Sequence, residues 1–476
     1  MVAPDASLSP SSRSSAASVR SSSMSSRRTS SSNNSILSHH QRRSPSTASL
    51  SSLSNHHNHH HHKVSNNNNI LWNIYMKHQF WVERLFLLSF SFFVFWHFRT
   101  ETQMVEELEQ GGPLGLMMMH SGKLHPQETY SLKPKMTPAK MAELKGPNGD
   151  KPNVLVTGAA GFVGMFTALE LKAIGMNPIG YDSVNSYYSQ DLKELRIQEL
   201  QQHGIPMVRA DVCDSATLQN TIRTHNITRV IHLAAQAGVR YSLDHPDEYT
   251  RNNVDCFVRL LETMVKCGIH DQPLVYASSS SVYGGNEKIP FRESDRLEDP
   301  ASLYAATKRS DELIAQTYFN LHGLSSVGLR FFTVYGPFGR PDMAPWIFTD
   351  KISNHETIRV FNHGNSRRDF TFVGDIVQGV VNSLFVNTGQ PELVNLGNGR
   401  PILLADFVRL VESQVETEAI IDSVGMQKGD VPVTYADITK ARRLLAYNPS
   451  TPIEEGIVQF VSWFREHNAT QFRMNG

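Results

Sequence analysis

The chain has few cysteines and no surplus of either charge. Only three cysteines occur among 476 residues, without a CxxC pair or a cysteine–histidine spacing typical of metal sites. Three cysteines exclude a framework of disulfides, and we expect Cys213, Cys256 and Cys267 to be small apolar side chains rather than metal ligands or nucleophiles. The 45 basic and 45 acidic residues cancel. Because phosphate binding normally needs a basic surplus, nucleic acid is not an expected partner.

The first 79 residues are low in complexity and contain a single acidic residue, Asp5. Their serine, asparagine and histidine runs offer too little apolar surface to offset chain entropy, so residues 1–79 are predicted to be disordered. The six histidines between positions 56 and 62 could bind a metal, but we interpret them as a solvated tract. No metal site is therefore predicted.

Residues 80–98 are almost entirely apolar, and their length suits one passage through a lipid bilayer. A buried helix or the core of a signal peptide would also be apolar, but a signal peptide belongs near the chain start. The preceding flank is basic and the following flank is acidic, so we predict a single-pass type II anchor with a cytoplasmic head and a luminal C-terminal part. Residues 99–150 have no sustained period and are interpreted as a stem or linker.

From residue 151 onward, short apolar runs alternate with helical patterns, which is typical of α/β proteins with a parallel, doubly wound sheet. The predicted strands are 153–157, 178–182, 207–211, 229–233, 273–277 and 326–331. The clearest predicted helices are 162–174 and 304–321. Beyond Gly336 the alternation breaks into mixed short segments, which indicates a smaller second lobe.

Three glycines, Gly158, Gly161 and Gly164, follow the first predicted strand and open a predicted helix. In this pattern the first permits a tight turn, the second lets a pyrophosphate approach a helix N-terminus, and the third allows close helix–strand packing. Asp182 ends the second predicted strand, where a carboxylate accepts ribose hydroxyls and repels the additional phosphate of NADP. The sequence therefore predicts a Rossmann-type NAD-binding domain over residues 151–340 and a C-terminal, substrate-binding lobe over residues 341–476.

Further NAD contacts are expected from the ends of the later strands and from residues elsewhere in the domain. Besides the three glycines and Asp182, the residues assigned to NAD are Phe162, Val163, Asp211, Val212, Leu233, Ala234, Ala235, Asn253, Tyr304 and Lys308. Structural packing alone would explain small residues at strand ends, so these positions support the interpretation without carrying it.

A candidate reactive pair follows the fifth predicted strand. Tyr304 and Lys308 are four residues apart, so a helix places them on one face. A lysine cation beside a phenol favours the phenolate, which is the form that accepts a proton. The serine-rich end of the preceding strand offers a hydroxyl from Ser279 or Ser280. A Tyr-x-x-x-Lys pattern also occurs by chance on surface helices, and its place after this strand is what favours a reactive site.

From about residue 153 to the C-terminus, the chain resembles the extended short-chain dehydrogenase/reductase family, and within it the UDP-glucuronate 4-epimerases. The resemblance rests on the glycine triplet, on Tyr304 with Lys308, and on the longer segments 234–242, 328–337, 339–344 and 367–371. The basic head and the anchor also resemble the type II Golgi forms of plants.

The resemblance implies an NAD-dependent isomerase that interconverts UDP-glucuronate and UDP-galacturonate. Carbon 4 would be oxidised while Tyr304 takes the hydroxyl proton, and the keto sugar would turn and be reduced on its other face. The intermediate is a β-keto acid that loses carbon dioxide readily, so its carboxylate must be held; Arg340 and Thr333 are candidates, although Arg340 could simply pair with Asp342. The residues assigned to the UDP-sugar are Ser279, Ser280, Thr333, Arg340, Arg368 and Asp430.

Several alternatives stay open. UDP-glucuronate decarboxylases share substrate and cofactor, but they usually carry glutamate before the Val-Tyr-Gly triplet, where this chain has Ser281. A UDP-glucose 4-epimerase would not need Arg340. A protein of another class, a non-catalytic membrane-tethered NAD-binding scaffold, would not need Tyr304 and Lys308. The family commonly dimerises through two helices, here 247–266 and 304–321, which makes a homodimer a further expectation.

Overall fold

The computed structural model describes residues 151–270, 272–427 and 429–474. The predicted head, anchor and stem, residues 1–79, 80–98 and 99–150, lie outside the described residues, and the interpretations of those segments stay predictions. Within the described ranges, no helix has both the length and the apolar character needed to cross a bilayer.

The described residues contain strands and helices in alternation over their first half. The strands are β1 (Asn153–Thr157), β2 (Asn177–Asp182), β3 (Met207–Arg209), β4 (Arg229–His232), β5 (Leu274–Ser279), β6 (Ser326–Phe331), β7 (Thr333–Tyr335), β8 (Ile358–Val360), β9 (Arg367–Arg368), β10 (Phe370–Phe372), β11 (Glu392–Leu396), β12 (Ile402–Leu403) and β13 (Ile421–Ser423). The α-helices are α1 (Phe162–Ala173), α2 (Gln190–Gln202), α3 (Ser215–Thr224), α4 (Tyr241–Asp244), α5 (Pro246–Tyr249), α6 (Cys256–Lys266), α7 (Leu303–His322), α8 (Ala344–Ser353), α9 (Val373–Ser383), α10 (Leu404–Val415), α11 (Thr439–Leu445) and α12 (Ile453–Glu466). A π-helical turn, Thr250–Asp255, leads into α6, and 3-10 turns span Ser280–Tyr283, Phe361–Gly364 and Ala469–Phe472.

Seven strands form one parallel sheet in the order β11-β6-β5-β4-β1-β2-β3. Val154 and Val156 of β1 pack into the core that holds α1 and α9, whereas Leu155 between them packs with α3, α6 and α7. Because both faces of the sheet are covered by helices, its strands are apolar on both faces and read as continuous apolar runs. The predicted parallel, doubly wound sheet is confirmed, and each of the six predicted strands is present with ends shifted by two residues at most.

The sheet crosses the boundary that the sequence analysis placed at residue 340. Strand β11, far beyond that boundary, pairs in parallel with β6 so that Glu392 lies opposite Val327. The remaining C-terminal strands pair with one another or with β7 as β7–β10, β8–β13 and β9–β12. Helices α8, α10 and α12 pack around them, with Trp346 and Trp463 in contact in the core. The C-terminal segment therefore contributes both to the main sheet and to a second layer.

Two of the three cysteines form a disulfide, and the expectation of three separate apolar side chains is wrong for them. Cys213, in the loop after β3, is bonded to Cys256 at the start of α6, and the two are 43 residues apart. Cys267 is the free cysteine. Asp211 lies beside the bonded pair. Because a metal needs thiolates, which a disulfide does not provide, this group is not a ready metal site.

Candidate active site

The strand order creates a crevice at the carboxyl ends of β1 and β4. The chain leaves β1 toward β2 on one side and later returns to β4 on the other side, which is the arrangement that opens a ligand crevice in doubly wound sheets. Gly158 follows β1 with a φ of +72°, a conformation that glycine adopts without strain. A Cβ at this position would lie 2.6 Å from the backbone nitrogen of Ala234, which follows β4. Only glycine therefore fits between the two strand ends.

The glycine loop presents the N-terminus of α1 to this crevice. Gly161 precedes the helix and gives its first turn no side-chain cap, so its amide N–H groups remain for an anion. The Asp182 carboxylate lies beside the loop, because its Oδ2 accepts the N–H of Ala160 at 3.0 Å and its Oδ1 accepts that of Val184 at 2.8 Å. An anion site and a carboxylate are thus adjacent, as the phosphate and ribose of a dinucleotide require.

The crevice continues into an open cleft of about 1510 Å³. Of the residues that the sequence analysis assigned to cofactor or substrate, the cleft is lined by Gly158, Gly161, Phe162, Val163, Gly164, Asp182, Asp211, Val212, Leu233, Ala234, Ala235, Ser279, Ser280, Tyr304, Lys308, Thr333, Arg340, Arg368 and Asp430.

Asn253 is the assigned residue that the structure places behind the cleft. Its amide nitrogen donates to the carbonyl of Gln236 and to the Thr307 hydroxyl, both at 3.0 Å, and its Oδ1 accepts the Gln236 N–H at 2.7 Å. With both donor hydrogens used inside the protein, Asn253 holds the loop after β4. Its expected direct contact with NAD stays a prediction.

The reactive pair lies in the first turns of α7. The Ser302 hydroxyl accepts the N–H of Ala305 at 3.1 Å and caps the helix start, which fixes Tyr304 and Lys308 on the early turns. The buried Lys308 ammonium donates to the Ala277 carbonyl and to Asp311 Oδ2, both at 3.0 Å. An ammonium has three N–H donors, so one is left for a ligand.

The carboxyl end of β5 contributes hydroxyls to the same region. The Ser278 hydroxyl donates to the Glu312 carboxylate at 2.7 Å and serves the core. The Ser279 oxygen accepts the N–H of Ser281 at 3.1 Å, which leaves its own proton to donate. Ser279 and Ser280 both line the cleft, so the structure keeps both as partners for the substrate.

Arg340 is held in place by an acidic neighbour. Its Nε and Nη2 donate to the two carboxylate oxygens of Asp342 at 2.9 and 2.5 Å, and the Tyr187 hydroxyl donates to the same carboxylate at 3.1 Å. This is the pairing that the sequence left open as an alternative to substrate binding. A guanidinium has five N–H donors, so three remain on the edge that Asp342 does not use.

A second cationic group, Arg240 and Arg368, also lines the cleft. Arg240 Nη2 is 3.3 Å from Asp430 Oδ2, and the Arg240 guanidinium lies 4.7 Å from the centre of the Phe361 ring. Burial lowers the pKa of Arg368 from its ordinary value, with Asp430 acting in the opposite direction. Arg240 belongs to the segment 234–242 that carries the family resemblance, and the structure adds it to the site.

Two basic residues of α2 were missed by the sequence analysis. Lys193 lines the cleft, and burial lowers its pKa to about 8. Lys193 and Arg196 are buried together with Leu192, Ile197 and Leu200. These spacings trace the buried face of a helix. Basic residues at the spacing of the apolar residues, between the second and third predicted strands, were the signal that could have revealed them.

Comparisons with known proteins agree with this geometry. Residues 155–460 match the family model described as GDP-mannose 4,6 dehydratase. UDP-glucuronate 4-epimerase 4 of Arabidopsis thaliana is 45% identical over 328 residues, which cover 65% of this chain and 75% of the relative. The solved UDP-glucuronic acid 4-epimerase from Bacillus cereus, in complex with UDP-glucuronic acid and NAD, is 30% identical with a TM-score of 0.61, covering 66% of this chain and 99% of that one. UDP-glucose 4-epimerase from Thermotoga maritima, with UDP-glucose, is 27% identical with a TM-score of 0.60 over the same shares. The chain therefore belongs to the NAD-dependent sugar-nucleotide epimerase and dehydratase family that the matched family model and these relatives represent.

Proposed function

We propose that this chain interconverts UDP-glucuronate and UDP-galacturonate through transient oxidation at carbon 4 of the sugar. The observation that carries the proposal is the convergence of Tyr304, Lys308 and Ser279 on the cleft that the glycine loop opens. The similarity to proteins named UDP-glucuronate 4-epimerase supports the choice of substrate.

The residues of the cleft fit NAD. The uncapped start of α1 suits the pyrophosphate, Asp182 suits a ribose without a 2′-phosphate, and the close approach at Gly158 leaves room for a ligand against the backbone. When bound, NAD supplies the two-electron oxidant at carbon 4 and returns the electrons to the opposite face of the sugar.

Tyr304 accepts the proton of the 4-hydroxyl and gives it back when the sugar is reduced. Lys308 stabilises the phenolate electrostatically and keeps one N–H for a ribose hydroxyl. The Ser279 proton is directed to the reacting oxygen, because the serine oxygen already accepts the Ser281 N–H. The three groups thus move one proton and orient one sugar oxygen.

The substrate carboxylate requires a separate holder. Oxidation at carbon 4 makes a β-keto acid. Its loss of carbon dioxide is suppressed when the bond between carbon 5 and the carboxylate is not parallel to the π orbitals of the ketone. The three N–H donors of Arg340 that face away from Asp342 suit this carboxylate, with Thr333 as a second donor. Asp342 then orients the guanidinium instead of competing for it.

The second cationic group of the cleft suits the uridine diphosphate portion. Arg368 and Arg240 bring two positive charges against one carboxylate, Asp430, which leaves a net positive charge for a diphosphate. The C-terminal lobe would therefore bind the nucleotide, while the first lobe supplies the reactive groups.

Decarboxylation is the second candidate, and the residue before Val282 argues against it. Ser281 occupies that position and donates its backbone N–H to Ser279. The usual glutamate at this place would supply proton chemistry that a serine does not. The N–H donors that Arg340 keeps beyond its pair with Asp342 likewise favour an acidic sugar over UDP-glucose.

Incubation of purified protein with UDP-glucuronate and no added cofactor tests the proposal. Chromatography should show UDP-galacturonate, because bound NAD is regenerated in each turnover. UDP-xylose would select the decarboxylase, and unchanged substrate with added NAD would select the scaffold. Arg340→Lys should add a decarboxylated product, and an unaltered product distribution would contradict the carboxylate clamp.

We further propose that the catalytic part lies in the Golgi lumen behind a single-pass type II anchor at residues 80–98. The basic flank supports this orientation, and a disulfide suits an oxidising compartment. Asn226 and Asn468 begin glycosylation sequons and are both exposed. Glycosidase should increase the mobility of the wild type but not of an N226Q/N468Q variant. Digestion of the catalytic part by protease added to intact vesicles would contradict the topology.

A homodimer through α6 and α7 completes the proposal. Helix α7 exposes Leu313 and Leu321, which are 54% and 70% accessible and lie about two turns apart. Exposed apolar side chains on one helix suit contact with a second copy. Light scattering should give twice the mass of the chain, and Leu313→Glu with Leu321→Glu should halve it. A monomeric wild type would contradict the dimer.

A further inference from the structure

Arg196 is a buried cation for which the reaction described above gives no role. It lies on α2 with an accessibility of 0%. In the described part of the chain, all of its hydrogen bonds go to uncharged oxygens. These bonds come from Nη1 and Nη2, whereas the buried Nε has no hydrogen-bond partner among the described residues. A buried charge is costly, so the bonds that Nη1 and Nη2 make are what offset its burial.

One nitrogen of Arg196 holds the glycine loop. Its Nη1 donates to the Ala160 carbonyl at 3.0 Å and to the Tyr188 hydroxyl oxygen at 2.6 Å. The N–H of Ala160 is bound in turn by Asp182 at 3.0 Å. Side chains therefore bind both the backbone N–H and the backbone carbonyl of Ala160 in the glycine loop.

The other nitrogen holds the turn that precedes Arg340. Its Nη2 donates to the carbonyls of Phe338 and Gly339 at 2.7 and 3.1 Å. Phe338 has a φ of +56°, a left-handed conformation that is strained for a residue with a side chain. Such a conformation persists only where its surroundings hold it, and Arg196 binds the two carbonyls that define the turn.

We propose that Arg196 is a positioning residue that fixes Arg340 relative to the cofactor loop, so that the substrate carboxylate is held out of the geometry in which it leaves as carbon dioxide. This inference rests on the proposed function. One planar guanidinium spans both backbone segments, whereas the single ammonium of a lysine does not reach two separate sets of acceptors. A positive charge alone is therefore insufficient to hold both segments, and the two terminal nitrogens of the guanidinium are required.

Arg196→Lys in the full-length protein, with saturating NAD and UDP-glucuronate, tests the proposal. A misplacement of about 1 Å costs roughly 100-fold in rate, so kcat for epimerisation should fall by about that factor. The KM should change little, because the nucleotide end of the substrate is bound elsewhere. Arg209→Lys is the matched control and should behave as wild type. Arg209 is a surface arginine on β3 that pairs with Glu194 of α2, the helix that carries Arg196.

The Arg196→Lys variant should also divert part of the substrate. In the diverted branch the bond between carbons 5 and 6 breaks, carbon dioxide leaves, and the electron pair at carbon 5 takes a proton. The two electrons from carbon 4 stay on the cofactor, so reduced NAD accumulates and is seen by its near-ultraviolet absorbance. A structural role alone would lower the amount of active protein without changing the ratio of products.

A double-mutant cycle with Arg340→Lys separates the inference from the proposed function. If Arg196 acts through Arg340, the double variant should partition products like Arg340→Lys alone. A changed product ratio in Arg340→Lys together with a wild-type ratio in Arg196→Lys, or additive changes, overturns the inference and leaves the clamp intact. A wild-type ratio in Arg340→Lys overturns the clamp itself.

Tyr188→Phe covers the case in which Arg196→Lys does not fold. It keeps the charge and removes one acceptor of Arg196. A smaller change of the product ratio in the same direction is expected, and an unchanged ratio overturns the inference.

Discussion

Reduction of the disulfide between Cys213 and Cys256 should loosen the part of the cleft that Asp211 and Val212 line. The bond joins the loop after β3 to the start of α6 and closes a loop of 43 residues. The carboxylate of Asp211 is bound beside this connection, since its Oδ1 accepts the Cys213 N–H at 2.8 Å and its Oδ2 is paired with Arg251 at 2.7 Å. Asp211 and Val212 line the cleft. The bond therefore holds residues assigned to the cofactor.

The expected loss of stability follows from the loop length. A cross-link over 43 residues restricts the unfolded chain by about 4 kcal/mol at 25 °C in the chain-entropy treatment, and typical disulfides contribute roughly 2–4 kcal/mol. Because the bond holds the loop that carries Asp211 and Val212, the holoenzyme should also release NAD faster once the bond is reduced. The oxidant that restores the bond is a small disulfide such as oxidised glutathione, which takes up the two electrons of the paired thiols.

Urea unfolding with and without reductant measures this effect. Reductant should lower the midpoint of the wild type and of Cys267→Ser, but not that of a Cys213→Ser/Cys256→Ser variant. The unfolded, unreduced chain should show one free thiol, since Cys267 is the free cysteine. Three free thiols, or equal midpoints with and without reductant, would refute the reasoning.

Two further predictions concern the cofactor loop and its basic neighbour. Gly158→Ala places a Cβ 2.6 Å from the backbone of Ala234 in a left-handed conformation, so the purified variant should contain little NAD when the released nucleotide is measured by chromatography; full NAD content would contradict the close approach. Burial lowers the pKa of Lys193 to about 8, below the ordinary lysine value of 10.5, so the folded NAD-free protein loses this proton before the unfolded chain does. Its free energy of unfolding should consequently rise between about pH 8 and 10.5, and Lys193→Met should flatten that rise in urea titrations, whereas an unchanged pH profile would show that another group is responsible.

Much of the fold and the reactive pair could be predicted because their signals are local. The glycine triplet, the apolar strands and the Tyr304–Lys308 spacing each lie within a few residues, and their order along the chain favours one interpretation. The first strand, Asn153–Thr157, has the predicted bounds, since all of its residues face a covered layer. Asp182 was placed correctly beside the loop because it ends the strand next to β1.

The remaining features depend on partners distant in sequence. Strand β11 joins the sheet through β6, from which two α-helices and four short strands separate it, and a five-residue segment does not reveal its partner. The Cys213–Cys256 bond spans 43 residues and follows from the packing of α6 against the loop after β3. Asn253 binds the backbone of Gln236, which lies 17 residues away, and its place in the sequence does not reveal that contact. Such pairings are set by tertiary packing.

The Arg340 assignment shows the same limit within the site. Sequence placed an arginine and an aspartate two residues apart and left open whether they pair with each other or serve the substrate. The structure shows the pair formed, with donors to spare on the other edge of the guanidinium. Its positioning by Arg196 depends on backbone carbonyls, which have no signature in side-chain sequence.

The most direct test of the whole account is Tyr304→Phe. The variant removes one hydroxyl and keeps the ring, which packs edge-on against Tyr249 with centroids 6.0 Å apart. Loss of a positioned acid–base group should lower the rate of UDP-glucuronate epimerisation by roughly 100- to 10,000-fold, while NAD content and melting temperature stay those of the wild type. Interconversion at the wild-type rate by a folded, NAD-loaded Tyr304→Phe protein would contradict the account.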